Sequence, residues 1–103
     1  MSEKEVIQAV REKIRSIDPD VKAYLFGSRA RGDARKDSDW DVLILLNKPC
    51  VTLEDYNKYS YPLWELGWDY DELINAVLFT EKEWKENAFT LFNHNVKADA
   101  IAI

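Results

Sequence analysis

Two aspartates separated by one residue stand directly before the most apolar run of the chain. Asp39 and Asp41 precede residues 42–46, a run of five aliphatic side chains that is typical of a strand covered on both faces. Alternate residues of a strand point to one face at a rise of about 3.3 Å per residue, so the two carboxylates can share one divalent cation or flank two. Carboxylate oxygens suit Mg²⁺. The alternative is that these acidic residues only form the turn before the strand.

A glycine and a serine follow the preceding predicted strand and offer a site for an anion. Gly27 and Ser28 come directly after residues 21–26, and two of the three glycines of the chain lie within six residues here. Glycine lets the backbone approach a ligand closely, and a serine hydroxyl with free amides at a helix start can hold a phosphate group. The alternative is an ordinary helix start that binds no ligand.

The order of these segments places the two candidate sites together. The chain runs strand, Gly-Ser, helix, loop, Asp-x-Asp and strand, which brings an anion site and an acid pair to the same end of two strands. A nucleoside triphosphate bound with Mg²⁺ needs both. Arg29 and Arg31 add positive charge beside Ser28. For Arg35 and Lys36, further along the loop, exposure to solvent is the favoured interpretation.

The elements that must position these residues follow from local patterns. Apolar residues at helical spacing behind Ser2 predict a first helix that ends near Ile17, and Thr80 with Glu83 predicts a capped helix start. Alternating helices and strands predict an α/β (α+β) fold, with a small mixed sheet of three to four strands flanked by helices, as one domain over residues 1–103. The predicted strands are residues 21–26, 41–47 and 73–79, with a short edge strand at 100–103.

The segment 53–70 is predicted to be a helix bent at Pro62, and it is rich in aromatic residues. A core of this size cannot bury all of them, so the segment predicts an interface or a surface on which a nucleobase stacks. The segment contains six aromatic residues, and for three of them packing inside the core is an equally good interpretation. These three are Tyr56, Tyr59 and Trp64, and the prediction of an interface rests on Tyr61, Trp68 and Tyr70.

Composition limits the classes of function. The chain has 103 residues, 47% of them hydrophobic and 32% charged, which is typical of one globular domain. Its net charge of −5 argues against general nucleic-acid binding. One cysteine, Cys50, and one histidine, His94, exclude an internal disulfide, a Cys/His zinc cluster and a convincing Ser/His/Asp triad. The charged start and the lack of a long apolar run predict a cytoplasmic protein without a membrane segment.

The pattern Gly27-Ser28, ten residues, then Asp39-x-Asp41 resembles the signature of the minimal nucleotidyltransferase (MNT) branch of the polymerase-beta-like nucleotidyltransferase superfamily. The likeness covers about half of the chain, from the first to the third predicted strand. It implies a palm-like fold, Mg²⁺ at Asp39 and Asp41 in a two-metal site, and the triphosphate of ATP at Gly27 and Ser28. It also implies transfer of AMP to a hydroxyl of a protein or small molecule. The implied partner is a helical HEPN-domain protein, which some relatives modify as the antitoxin of a toxin-antitoxin pair. The aromatic segment 53–70 would contact this partner or a second copy of the chain.

One position departs from the pattern of this family. The family has a third carboxylate on the next strand, as metal ligand and general base, where this chain has Asn75. An amide oxygen carries no charge and cannot accept the proton of a nucleophile. Asp71 or Glu72 would replace it if the strand began earlier or if a bulge shifted it, and a partner protein is the other source of the missing group. Two further hypotheses therefore stand beside the enzyme: a catalytically impaired subunit that binds nucleotides, and an adaptor that binds only its partner.

Overall fold

Helices and strands alternate along the computed structural model, which describes residues 2–103. Ser2 accepts a hydrogen bond from the Glu5 amide at the start of the first helix, as its sequence predicts. The helices are α1 (Glu3–Ile17), α2 (Ser28–Arg31), α3 (Leu53–Asp55), α4 (Tyr61–Tyr70), α5 (Glu81–Glu86) and α6 (Leu91–Asp99), and the strands are β1 (Lys22–Phe26), β2 (Trp40–Leu46), β3 (Ile74–Thr80) and β4 (Ile101–Ala102).

The four strands form one mixed sheet in the order β3-β2-β1-β4. Strand β1 is antiparallel to both β2 and β4, whereas β2 and β3 are parallel. The carboxyl end of β1 therefore lies beside the amino ends of β2 and β3. Each predicted strand is present within one or two residues of its expected bounds, and the predicted mixed sheet flanked by helices is confirmed.

The main core lies between one face of the sheet and helices α1 and α4. Helix α1 contributes Val6, Val10 and Ile14 at helical spacing, and each of these side chains is almost fully buried. All of β2 except Asp41 is buried, in agreement with its unbroken apolar run. A smaller cluster on the other face joins Phe26, Leu43, Leu45 and Val96 beneath α5 and α6.

The bend expected at Pro62 takes the form of a wider helical turn. Residues Tyr56–Ser60 form a π-helical turn between α3 and α4, and the Tyr61 amide donates to the Tyr56 carbonyl, five residues back. Pro62 has no amide hydrogen to continue the ladder and lies in the first turn of α4, where none is needed. The proline thus marks the start of a new helical segment.

The last part of the chain contains more helix than its sequence pattern predicts. Thr80 and Glu83 form the expected capping box at the start of α5. The spacing of Phe89, Phe92, Asn93 and Val96 predicts only a last helical turn or two, whereas helix α6 has nine residues. Within residues 2–103, no helix combines the length and the apolar character needed to cross a membrane.

Candidate functional site

Gly27 and Asp41 meet at the end of the sheet. Asp41 pairs in register with Phe26, the last residue of β1, so Gly27 begins the turn beside it. A Cβ atom built on Gly27 would lie 2.7 Å from Asp41 Oδ2, closer than real contacts allow. Gly27 also has φ 78°, a left-handed conformation that glycine adopts without strain. The absent side chain at position 27 is what lets the Asp41 carboxylate lie against the Gly-Ser turn.

Asn75 brings Asp39 into the same place. The parallel pairing of β2 and β3 puts Asn75 opposite Asp41. Its side-chain amide donates a hydrogen bond of 3.1 Å to Asp39 Oδ2. Asp39 is exposed and Asp41 is partly buried, so one edge of the pair faces solvent. The sheet therefore joins Gly27, the acid pair and Asn75 at one end, as the sequence order predicts.

The two carboxylates repel each other in this arrangement. Partial burial raises the pKa of Asp41 above its ordinary value, and the charge of Asp39 raises it further. The nearby Asn75 amide offsets part of this pKa shift. A cation bound between the carboxylates would remove the cost of holding two like charges together.

The Arg29 side chain is held by partners within the protein. Its side chain is only 6% exposed. The guanidinium donates to the Ser38 and Lys36 carbonyls and to the carboxylates of Glu3 and Glu72. The guanidinium is therefore occupied by partners within the chain, and these contacts give no support to the prediction that Arg29 binds phosphate.

Neither alternative third carboxylate replaces Asn75. Asp71 ends α4 in a left-handed conformation and is exposed, and Glu72 Oε2 lies 3.5 Å from Arg29 Nη2. Strand β3 begins at Ile74, so the strand does not start early enough to move either acid into register with Asp41. Among the described residues, His, Cys, Asp and Glu side chains form no group of three or more that could hold a metal ion. The acid pair is complemented by an amide.

The predicted phosphate contacts occupy the turn beside the acid pair. Ser28 is partly buried and is the first residue of α2. Arg31, one turn further on, is 46% exposed and its guanidinium pairs with Asp33 at 3.1 Å and with Asp99 at 2.8 Å. Arg35 and Lys36 are exposed, as the solvated-loop interpretation expects. Ser28 thus follows Gly27 in the turn beside Asp41, and Arg31 lies at the surface with its charge paired.

An aromatic groove opens on the other side of Asn75. The groove has a volume of about 320 Å³ and lies between the π-helical turn, α4 and β3. Its walls include Tyr56, Tyr61 and Trp64, which are 44%, 53% and 40% exposed, respectively. Tyr59 is buried in the core instead. Of the aromatic side chains expected at an interface, Tyr61 and Trp68 are exposed and Tyr70 packs partly against the core.

The fold and this site together define a class of protein. A mixed α/β sheet carries a Gly-Ser turn and an Asp-x-Asp strand at one end, which is the arrangement expected for a nucleotidyltransferase. The chain belongs to the nucleotidyltransferase domain family, whose sequence model matches residues 5–98. The predicted superfamily and the predicted class of enzyme, a nucleotidyltransferase, are confirmed.

Two curated relatives share more than 30% sequence identity with this chain. A Methanocaldococcus jannaschii protein named as a protein adenylyltransferase is 35% identical over 80 residues, which cover 73% of this chain and 80% of the relative. The Haemophilus influenzae protein MntA, also named as a protein adenylyltransferase, is 31% identical over 83 residues, which cover 80% of this chain and 71% of MntA.

Solved structures share the fold. A nucleotidyltransferase structure from Sulfolobus solfataricus superposes with a TM-score of 0.59 and 19% identity, over 97% of this chain and 80% of the other. A toxin-antitoxin structure with AMP-PNP gives a TM-score of 0.58 and 21% identity, over 99% of this chain and 72% of the other. At these identities the likeness is evidence for the fold alone.

Sequence reasoning missed the contact between Arg29 and Glu72. The sequence predicts a phosphate contact for Arg29 and an alternative third carboxylate at Glu72, whereas the two side chains contact each other. They are 43 residues apart in sequence. A pattern read along one segment contains no signal for such a pair.

Proposed function

We propose that this chain transfers AMP from ATP to a hydroxyl group of a protein, with Mg²⁺ bound at Asp39 and Asp41. The observation that carries the proposal is the close packing of Asp41 on Gly27, together with the hydrogen bond from Asn75 to Asp39. These contacts put the acid pair and the Gly-Ser turn within reach of one nucleotide. The names of both curated relatives, protein adenylyltransferases, favour ATP as donor and a protein as acceptor.

The residues at the acid pair fit Mg²⁺. The metal ligands that the two aspartates offer are all carboxylate oxygens. The pair holds two negative charges, one of them on Asp41, whose pKa is raised by burial. Mg²⁺ usually keeps several waters and binds one or two protein carboxylates together with substrate phosphates, so two aspartates are sufficient. One or two bound ions would supply charge stabilisation at the phosphate oxygens that become more negative during transfer.

The positions of the site residues suggest how donor and acceptor are arranged. Gly27 and Ser28 lie at the end of β1, the acid pair on β2, and Asn75 on β3. With pyrophosphate held on the β1 side by Gly27, Ser28 and Arg31, the acceptor hydroxyl must approach the phosphorus in line from the β3 side. The aromatic groove beside Asn75 lies on that side.

In the proposed reaction the hydroxyl oxygen forms a bond to the α-phosphorus and the bond to pyrophosphate breaks. The hydroxyl proton cannot pass to Asn75, because an amide does not accept it at neutral pH. We therefore propose that the proton goes to solvent or to a group of the partner, which makes the reaction slow without that partner.

The aromatic segment is the proposed contact with the acceptor protein. Trp64 lies 5.9 Å from Tyr61 and 4.7 Å from Trp68, ring centre to ring centre, so three exposed rings form one surface along α4. Such rings are enriched at protein interfaces. The family resemblance implies a HEPN-domain protein as this partner, with the chain as its antitoxin. The name of the toxin-antitoxin structure supports a partner protein over a second copy of the chain. The exposed Cys50 suits a reducing cytoplasm.

Labelled ATP tests the proposal. The protein is incubated with ATP labelled at the α-phosphate, Mg²⁺ and a lysate of its source organism, and label on protein is detected by gel and mass spectrometry. We expect one labelled band that disappears with EDTA, and that falls at least 100-fold for Asp39→Asn with Asp41→Asn. Equal labelling by the double variant would contradict the proposal.

Asn75 supports a second candidate function, a subunit that binds ATP but no longer transfers its AMP group. The variant Asn75→Asp separates the two. If transfer is present but limited by the proton acceptor, Asn75→Asp should raise its rate at least tenfold, since a general base contributes roughly 10²- to 10⁴-fold. ATP binding without transfer in the wild type, and without transfer in Asn75→Asp, would favour the binding subunit.

A further inference from the structure

Arg29 is the most completely enclosed cation near the site. Its guanidinium donates to the Ser38 carbonyl through Nε at 3.3 Å and through Nη2 at 3.0 Å, and to the Lys36 carbonyl at 3.3 Å. Nη1 lies 3.2 Å from Glu3 Oε1 and Nη2 lies 3.5 Å from Glu72 Oε2. The charge is thus neutralised inside the protein, and little of the guanidinium remains to meet a ligand.

We infer that Arg29 is a positioning residue that fixes the Asp39 carboxylate for the cation, an inference that rests on the proposed function. Asp39 is exposed, and in the described part of the chain the hydrogen bond to its side chain comes from Asn75. The direction of its carboxylate therefore depends on the backbone to either side. Metal ligands need such support, because a displaced ligand loses affinity even when its chemistry is unchanged.

Arg29 holds the backbone before Asp39. The Ser38 carbonyl that it binds twice belongs to the Ser38–Asp39 peptide bond. Two donors from one rigid fork restrict the rotation of that peptide plane. The same side chain also binds the Lys36 carbonyl two residues earlier, so the end of the loop is held at two points.

Arg29 holds the residue after Asp39 as well. Its guanidinium carbon lies 4.6 Å from the centre of the Trp40 ring, in cation-π contact. Trp40 is 1% exposed, and its backbone amide donates to the Leu73 carbonyl at 2.8 Å. Asp39 is therefore held between two residues that contact the same guanidinium.

The two acidic partners of Arg29 connect it to other elements of the fold. Glu3 belongs to the first turn of α1, and Glu72 lies just before β3, three residues from Asn75. Arg29 itself follows Ser28 in α2. One side chain thus connects the Gly-Ser turn, the loop before β2 and the approach to β3, which are the segments that carry the site.

Lysine cannot make this set of contacts. Its ammonium group is a single point of charge without the planar fork that binds two carbonyls and stacks on an indole. Arg29→Lys and Arg29→Met are therefore both expected to release Asp39, although Arg29→Lys keeps the charge. A simple phosphate contact or a purely electrostatic role would be rescued by lysine.

Mn²⁺ serves as the probe because its binding is seen by electron paramagnetic resonance. We expect Arg29→Lys and Arg29→Met to weaken Mn²⁺ binding in the presence of ATP at least tenfold. ATP binding in EDTA should stay within threefold of the wild type, because Gly27 and Ser28 are unchanged. In the NMR spectrum of the metal-free protein, the amide of Asp39 should shift in both variants, since the Ser38 carbonyl loses its donors.

Arg11→Met is the matched control, since Arg11 is a surface arginine of α1 that contacts Gln8. It should leave Mn²⁺ binding unchanged. If Arg29→Met does not fold, Glu72→Gln, which keeps the guanidinium but removes the negative charge of one of its two acidic partners, should weaken Mn²⁺ binding at least threefold and shift the Asp39 amide.

Three results would overturn the inference: wild-type Mn²⁺ affinity in a folded Arg29→Met or Glu72→Gln protein, full rescue by Arg29→Lys, or an equal loss of ATP binding in EDTA, which would mark a phosphate contact. A wild type that binds no Mn²⁺ with ATP would instead contradict the proposed function. The shift of the Asp39 amide, which needs no metal, would still test whether Arg29 positions the backbone at Asp39.

Discussion

At the scale of single residues, the site depends on an atom that is absent. Gly27→Ala would place a Cβ 2.7 Å from Asp41 Oδ2 and force a left-handed conformation on an alanine. We expect a loss of about 1–3 kcal/mol of stability, because φ 78° with ψ −161° is a conformation that glycine alone adopts readily, and at least a tenfold loss of Mn²⁺ affinity from the displaced carboxylate. Urea unfolding and Mn²⁺ titration measure the two effects.

Gly32→Ala separates strain from displacement. Gly32 has φ 85°, but a Cβ there would meet nothing within 4 Å. It should lose about 1–2 kcal/mol of stability, because its left-handed conformation is unfavourable for alanine, and keep its Mn²⁺ affinity. Equal Mn²⁺ affinities in the two alanine variants would show that the contact between Gly27 and Asp41 does not matter for the site.

The raised pKa of Asp41 makes its charge a cost to the folded state. A folded pKa above the ordinary value of 3.8 means that the folded protein binds this proton more tightly than the unfolded chain does. Stability from this group is therefore present at low pH and is lost as pH rises from 3.8 through the folded pKa. At pH 7 we expect Asp41→Asn to unfold at a higher temperature than the wild type, with the difference shrinking below pH 4.

Mg²⁺ provides the complementary measurement. It should raise the melting temperature of the wild type at pH 7 more than that of Asp41→Asn, because the variant lacks half of the acid pair. Asp69→Asn, which removes an exposed carboxylate of α4, is the control and should respond to Mg²⁺ like the wild type. Destabilisation by Asp41→Asn at pH 7 would show that the carboxylate is stabilised by its surroundings.

At the scale of elements, local patterns predicted much of the structure. Helix α1, the cap at Thr80, and the two central strands follow from signals within a few residues of each other. The π-helical form of the bend before Pro62 and the contacts of Arg29 do not. Arg29 contacts Ser38, Glu3 and Glu72, which lie 9, 26 and 43 residues away in the sequence. The acid pair was predictable because Asp39 and Asp41 stand two residues apart where a buried strand begins, whereas the contacts of Arg29 required the tertiary fold.

The end of α4 offers a test of the third carboxylate. Asp71 has φ 54° and ψ 45°, and its amide caps α4 by donating to the Gly67 and Trp68 carbonyls. Glycine is the preferred residue for this cap, so Asp71→Gly should stabilise the protein by about 1 kcal/mol and raise its melting temperature by roughly 4–8 °C. Because Asp71 ends the helix and does not contact the acid pair, AMP transfer should be unchanged. A large loss of transfer would restore Asp71 as the general base.

At the scale of the whole molecule, the two ends of the sheet have separate tasks. The site occupies the carboxyl end of β1 and the amino ends of β2 and β3. At the opposite end, the Tyr59 hydroxyl donates to Asp18 at 3.1 Å, which ties the π-helical turn to the end of α1. Burial, together with this bond to Asp18, raises the pKa of Tyr59 to about 12, so the donor stays protonated across the physiological range. The contacts at the end opposite the site therefore stabilise the fold.

Arg15 anchors the last residues of the chain at the same end of the sheet. Its guanidinium donates to the Val21 and Ile103 carbonyls, each at 2.6 Å, and so joins α1 to the start of β1 and to the residue after β4. Strand β4 has two residues, and the Ile103 amide adds one more bond to the Ala23 carbonyl. An edge strand this short depends on such anchors.

Arg15→Met should therefore release β4 without disturbing the site. We expect a loss of about 1.5–3 kcal/mol of stability, the range for hydrogen bonds from a charged donor, and the loss of hydrogen-exchange protection at the Ile103 amide. Mn²⁺ affinity should stay at the wild-type value, because Arg15 and the acid pair lie at opposite ends of β1. Arg11→Met controls for removal of a surface arginine from α1. If Arg15→Met weakened Mn²⁺ binding while Arg11→Met did not, the sheet would transmit the loss of β4 to the site, and the two ends would be energetically coupled.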